Sequence, residues 1–183
     1  MRRVIVSTYA TLDGIIENPQ NWSFDYMDEA ALDFALKQLF AADAMLLGRE
    51  TYQSFAEAWP SRTDEAGFAD HINSMQKYVV STTLTEPLPW GPATLIKNNV
   101  AEEVAKLKQQ PGKDILIYGT GRLTDTLLQH NLIDEHRTWV IPIIWGKGQR
   151  IFDGFETAKL ELVEAKTLPS GTVILSHKPA PKA

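Results

Sequence analysis

Two junctions in this sequence have the composition of anion sites. In Ala44-Met45-Leu46-Leu47-Gly48-Arg49-Glu50-Thr51-Tyr52 a short apolar strand runs into a Gly-Arg that opens a helix. The first N–H groups of a helix lack intrahelical partners and lie at the positive end of its dipole, and a guanidinium beside them adds a planar fork that matches phosphate. The second junction, Asp114-Ile115-Leu116-Ile117-Tyr118-Gly119-Thr120-Gly121-Arg122, again sets strand, glycines and arginine before an amphipathic helix. A further strand ends in Ser81, Thr82 and Thr83, hydroxyls that either terminate a sheet or bind phosphate. Each feature alone also has a plainer reading. Glycine ends a strand without steric cost, and a surface arginine pairs with a carboxylate. Gly119-Thr120-Gly121 lacks the third glycine of the Rossmann fingerprint, with Thr124 in its place. Convergence favours a ligand, because in an open α/β sheet ligands gather outside the carboxyl ends of parallel strands, where all three groups fall. Two phosphate-ready turns suggest a dinucleotide.

The elements that must carry these groups are legible in the patterning. Val4-Ile5-Val6-Ser7-Thr8-Tyr9 is rich in β-branched residues and reads as a first strand, ending at Asp13-Gly14. From Asp28 to Ala42, the residues Leu32, Ala35, Leu36, Leu39 and Phe40 recur at the spacing of one helical face, with Asp25 or Asp28 as the cap. Ala44 to Leu47 does not alternate, as expected of a strand covered on both faces. Lys77 to Ser81 and Ala93 to Lys97 read as strands around a proline loop, and Val100, Val104 and Leu107 mark a helix before the strand Ile115 to Tyr118. This β-α-β run implies parallel pairing. Leu123, Leu127 and Leu128 stripe the next helix. Arg137 to Trp145 and Leu160 to Leu168 read as long strands, and Ser170-Gly171 turns a last hairpin with Thr172 to Ser176 as its return. The expected fold is α/β: a mixed sheet, parallel at its centre and antiparallel in its C-terminal hairpin, with helices on both faces. One domain would span 1–176, with a loose tail over 177–183.

Composition narrows the function classes. With 44% hydrophobic and 22% charged residues, the 183-residue chain can fill a core. A net charge of -5 argues against a nucleic-acid binder, which presents a basic face. No apolar run reaches the roughly 18 residues of a membrane span, and Met1-Arg2-Arg3 leads into a strand rather than a signal peptide; a soluble cytoplasmic protein with no membrane partner is expected. The absence of Cys removes disulfides, thiolate zinc sites and cysteine nucleophiles. His71, His130, His136 and His177 show no ligand-like spacing, so no metal is expected. Serine-hydrolase and P-loop motifs do not occur. Trp139, Ile141, Ile143, Ile144 and Trp145 are too apolar for one sheet face, which suggests either core or the surface of a homodimer.

Several motifs occur in the order known from one superfamily: Thr11-Leu12-Asp13-Gly14-Ile15-Ile16; Leu46 to Tyr52 with Trp59-Pro60; Lys77 to Thr83; Ile117 to Gly121; and Leu132-Ile133-Asp134-Glu135 through Pro142, Gly146 and Gly148. The chain resembles the dihydrofolate reductase-like superfamily, and within it the stand-alone relatives of the reductase domain from the bifunctional deaminase-reductase of riboflavin biosynthesis. The likeness runs from Val4 to Ser176. It implies a three-layer fold, NADPH as cofactor and a homodimer. Carried over to this chain, Gly48, Arg49, Glu50 and Thr51 would hold the pyrophosphate and 2′-phosphate side, with Ser81, Thr82 and Thr83 on the adenosine 2′-phosphate. Gly119, Thr120, Gly121, Arg122 and Leu123 would meet the pyrophosphate and nicotinamide ribose, and Tyr118 would point at the nicotinamide. The loop from Ala10 to Ile16 would close over the nicotinamide. A 2′-phosphate carries about two negative charges, which an arginine and hydroxyls at a helix start stabilise.

On the substrate side the superfamily uses an acid at the start of the first helix, for which Asp25, Asp28 and Glu29 are candidates; carboxylates there also simply favour the helix dipole. Trp22 would wall the pocket. The proton donor would be Asp13, Asp28, Tyr118 or water, with Asp13 also suited to organising its loop. The expected activity is hydride transfer to a carbonyl or imine-type carbon of a small polar or heteroaromatic, pterin- or pyrimidine-like substrate. The alternative is an NADPH-binding module without turnover, acting as sensor or scaffold.

Overall fold

The computed structural model describes residues 1–181. Its eight strands make a mixed α/β fold, mostly parallel with antiparallel C-terminal strands. The chain packs as two compact units.

The first unit comprises residues 1–4 and 35–118. It holds β2 (Ala42–Gly48), β3 (Gln76–Val80), β4 (Ala93–Ile96) and β5 (Asp114–Tyr118), in the order β4-β3-β2-β5 and parallel throughout. Ala44, Met45, Leu46 and Leu47 are all buried, so the missing alternation does reflect a strand covered on both faces. Around these strands lie α2 (Arg49–Ala58), α3 (Phe68–Ser74) and α4 (Val100–Gln109). Helix α3 has no strong apolar period and is not expected from the patterning; the Asp64 carboxylate caps it by accepting from the N–H groups of Phe68 and Ala69. At the centre Tyr52 clamps the backbone of Trp90, accepting from its N–H at 2.8 Å and donating to its carbonyl at 3.1 Å. Lys77 is 0% exposed. Its Nζ donates to the carbonyls of Asn73 (2.5 Å) and Gly91 (3.4 Å) and lies 4.3 Å over the Trp90 ring, and burial pushes its pKa down to about 8.

The second unit comprises residues 5–34 and the segment from Gly119 onward. Here β1 (Val4–Thr11), β6 (Glu135–Ile141), β8 (Val173–Pro179) and β7 (Leu160–Thr167) follow one another in that order. β1 and β6 are parallel, whereas β8 is antiparallel to both β6 and β7. α5 (Arg122–Gln129) belongs to this unit, and α1 (Glu29–Phe40) begins in it. The buried Trp139 ring receives Tyr9 and Phe34 edge-on, each at 5.2 Å, and its indole N–H donates to Ser7 Oγ at 3.1 Å.

Two boundaries differ from expectation. The strand expected to reach Trp145 stops at Ile141, because Pro142 offers no donor for a ladder. Trp139 and Ile141 are core, and only Ile144 and Trp145 of that segment's large side chains are well exposed. The tail expected from His177 is instead part of β8 through Pro179, with the Ala180 N–H donating to the Lys159 carbonyl at 2.9 Å. The remainder of that expectation, at residues 182 and 183, lies outside the described residues.

Candidate functional site

In the first unit, the carboxyl end of β2 meets α2 at Gly48, whose extended backbone (φ -73°, ψ 165°) serves as the N-cap without a side-chain bond. A Cβ there would meet nothing within 4 Å, so the space before the helix is open. The half-exposed Arg49 reaches Thr83 Oγ1 with Nη1 at 3.4 Å and stands 3.6 Å from Glu50 through Nη2. Both contacts are long, and Glu50 is 91% exposed, so the guanidinium is only loosely committed. Ser81 at the end of β3 is buried, and its Oγ accepts from the N–H groups of Thr83 (3.2 Å) and Leu84 (3.1 Å). It shapes a turn that presents Thr82 and Thr83, both exposed. Thr51 lies in the first turn of α2. Tyr118 closes β5, half-buried, its ring 5.7 Å from that of Phe55. Phe55 was not anticipated; its place on the second turn of the Arg49 helix was the only available signal.

In the second unit the glycine turn is more heavily used by the protein itself. Gly119 has φ +84°, a conformation that favours glycine, and open space where a Cβ would point. Its N–H donates to the Ser7 carbonyl at 2.9 Å. The Gly121 N–H donates to Thr124 Oγ1 at 2.9 Å, and that hydroxyl returns a bond to the Gly121 carbonyl at 2.8 Å. Thr124, which stands in place of the third fingerprint glycine, is therefore the latch that starts α5 at Arg122, followed by Leu123. Two N–H groups of this turn are thus engaged by the protein. The Thr120 hydroxyl is buried without a hydrogen-bond partner, which is unusual unless a bound group completes it.

The loop after β1 is fastened rather than free. Ala10 is buried within β1 itself. Beyond Thr11, Leu12 N–H donates to the Ile143 carbonyl, Ile16 N–H to Gln149 and Ile151 N–H to Gly14, and Ile15 bridges antiparallel to Arg150. The Asp13 carboxylate accepts from the Thr11 hydroxyl (2.6 Å) and from the N–H groups of Gly146 (2.8 Å) and Trp145 (3.0 Å). These donors, the Thr11 hydroxyl foremost, pull its pKa down to about 2. At Gly148 a Cβ would come within 2.8 Å of the Glu17 carboxylate and 2.9 Å of Ile15, so the segment fits closely against the loop.

The candidates for the substrate side are likewise engaged. Asp28 accepts from Ala31 N–H (2.8 Å) and Ser170 N–H (2.7 Å), capping α1 and tying it to the β7–β8 turn; the Ala31 bond leads in holding its pKa below the usual carboxylate range. Asp25 and Glu29 are exposed. Trp22 is buried, its indole N–H donating to the Glu17 carbonyl at 3.0 Å, which makes it packing beneath its loop rather than an open wall. The buried His136 lies with Nδ1 3.2 Å from Thr138 Oγ1, and burial, aided by His177, pushes its pKa down to about 4.

The fold is that of reductase-like α/β proteins. It superposes with a TM-score of 0.75 on a protein provisionally assigned to riboflavin biosynthesis from Shewanella sp. PV-4, at 21% identity over 98% of this chain and 99% of that one. It superposes at 0.69 on the diaminohydroxyphosphoribosylaminopyrimidine deaminase/5-amino-6-(5-phosphoribosylamino)uracil reductase of Thermotoga maritima, at 15% identity, covering 98% of this chain and 57% of that one. The chain belongs to the RibD C-terminal domain family, whose pattern matches residues 2–174. It is also 35% identical over 179 residues to the uncharacterized protein YyaP of Bacillus subtilis strain 168, covering 94% of this chain and 92% of that one. Family membership supports a reductase role. Among the described residues no helix is long and apolar enough to cross a membrane.

Proposed function

We propose that this protein is an NADPH-dependent reductase acting on a carbonyl or imine-type carbon of a small polar or heteroaromatic, pterin- or pyrimidine-like substrate. The observation that carries the reading is the Arg49 guanidinium, loosely held 3.4 Å from Thr83 Oγ1 beside the open start of α2. Such a group suits a phosphate monoester, which a guanidinium and hydroxyls bind with charge-assisted hydrogen bonds. NADPH, when bound, supplies the hydride. In this reading Arg49, Thr82 and Thr83 hold the 2′-phosphate, and Ser81 shapes their turn. Gly48, Glu50 and Thr51 contribute backbone N–H groups, since the Glu50 carboxylate would repel an anion. Gly119 admits the ligand closely, the Thr120 hydroxyl gains a partner, and Arg122 and Leu123 offer the first N–H groups of α5.

Asp13 acts here as an anchor. With a pKa of about 2 it carries no proton to give at neutral pH, and it orders the segment from Ala10 to Ile16 against 143–151. Asp28 positions α1 in the same manner. Tyr118, next to Gly119, is left as the side chain that donates a hydrogen bond or proton at the reacting carbon, with water as its substitute.

The engagement of both acids favours one second reading, a module that binds NADPH without turnover. Titration of the protein with NADPH and NADH by fluorescence, followed by loss of reduced-nicotinamide absorbance with carbonyl, pterin and pyrimidine candidates, separates the two. The reductase reading expects NADPH to bind more tightly than NADH and at least one candidate to be reduced. Binding without reduction would favour the module, and no binding would reject both.

A further inference from the structure

In the second unit the imidazole of His136, on β6, lines a cavity together with Thr124 and Leu128 of α5. The residue is only 6% exposed. Its Nδ1 lies 3.2 Å from Thr138 Oγ1, whereas Nε2 is buried with no hydrogen-bond partner among the described residues. A buried nitrogen left unpaired is costly and uncommon. The remaining walls are Ile133, Phe155, Leu160 and Pro179, and Phe152 forms the cover, its ring centred 5.1 Å from the imidazole and 5.4 Å from Phe155.

Two features mark Phe152 as a displaceable cover. Its φ is +62°, and the other described non-glycine residues with positive φ are Asn18, Asn99 and Asn131, a residue type that tolerates this region as a bulky aromatic does not. It is also 37% exposed, on a surface turn where a Cβ at Gly154 would meet nothing within 4 Å. Strain of this kind clusters at ligand sites. With the ring in place the enclosed space is about 10 Å³, room for a single water. Such a water would be poorly held: the Thr124 hydroxyl already accepts from and donates to Gly121, which leaves Nε2 as the unengaged polar atom, and a buried water typically makes about three hydrogen bonds.

We propose that this cavity is a binding site for a small neutral phenol, which takes the place of the Phe152 ring and hydrogen-bonds to His136 Nε2. The displaced side chain and the ligand carry the same aromatic ring, so walls that fit one fit the other. A hydroxyl both donates and accepts, and it therefore satisfies Nε2 in either tautomer. Burial pushes the imidazole's pKa down to about 4, so at neutral pH it offers no charge to hold an anion. Carboxylates and ammonium groups are excluded by the carbon walls. Toluene has the shape but leaves the nitrogen unpaired. The inference is independent of the reductase reading.

Phe152→Gly removes the cover and the backbone strain together. By calorimetric titration it should bind phenol at least about tenfold more tightly than the wild type, because no ring has to be displaced first. In that variant toluene should bind at least about tenfold more weakly than phenol, since it leaves Nε2 without a partner. Adding His136→Phe should abolish the preference. In the wild type, excess phenol should shift the imidazole nitrogen resonances of His136 and leave those of His71 and His130 in place. That measurement reads the hydrogen bond directly and decides the matter if either variant fails to fold. A Phe152→Gly protein that binds phenol no better than the wild type, equal affinities for phenol and toluene, a preference that survives His136→Phe, or unmoved His136 resonances would each overturn the proposal.

Discussion

Gly48 and Gly119 each join a parallel strand to the approach of an amphipathic helix, yet the two turns differ in what they leave for a ligand. At Gly48 the backbone is extended and would accept any residue, and the open space lies beside an arginine held only by long contacts. At Gly119 the backbone is left-handed, and both glycines of the turn give their N–H groups to the protein, to Ser7 and Thr124. The first turn offers charge on a permissive backbone; the second offers a left-handed, internally bonded backbone with one orphan hydroxyl at Thr120. Similar short motifs therefore need different tests, since side-chain removal should weaken the first and an added Cβ the second.

The largest effect is expected from Gly119→Val. A β-branched residue at φ +84° costs about 1–2 kcal/mol in strain, and its side chain would fill the ligand's approach. Circular dichroism should show a folded protein melting a few degrees lower, while fluorescence titration shows NADPH binding abolished. Retained tight binding would remove this turn from the site.

Next in size is Arg49→Ala, expected to cost about 1.5–3 kcal/mol in NADPH affinity, the scale of a charge-assisted hydrogen bond, and much less with NADH. Equal losses for both cofactors would break the 2′-phosphate assignment. Thr124→Val keeps the shape of a buried side chain but leaves the Gly121 N–H without its acceptor. Urea unfolding should register a loss of about 1 kcal/mol; an unchanged midpoint would mean the latch is dispensable. The smallest effect belongs to Gly48→Ala. With an extended backbone and free space, stability should stay within about 0.5 kcal/mol of wild type, and a marked drop in melting temperature would show the two turns to be more alike than they look.

Much of this architecture was legible because the signals are local. The unalternating run Ala44 to Leu47 foretold a strand covered on both faces, and Asp28 stood where a helix cap belongs. What escaped the sequence depends on distant partners. Nothing near Asp13 indicates that its carboxylate is held by N–H groups of Trp145 and Gly146, 132 and 133 residues away. Nor does the pattern around Trp22 distinguish an exposed wall from an indole bonded beneath its own loop. A strand end was misread where a single proline overrides periodicity, at Pro142. The residue types of the candidate site were readable, but the hydrogen bonds that occupy them were not.

The buried Lys77 gives folding a proton stoichiometry. Its amine has a pKa of about 8 in the native protein against 10.5 for an ordinary lysine. Between those values the unfolded chain binds more protons than the folded one, so this residue's contribution makes stability rise with pH across that window and leaves it level below about 8. Near pH 9, folding expels a proton into the buffer and unfolding takes one back. The calorimetric heat of unfolding should then track the ionisation enthalpy of the buffer at pH 9, and a Lys77→Met variant should weaken that dependence.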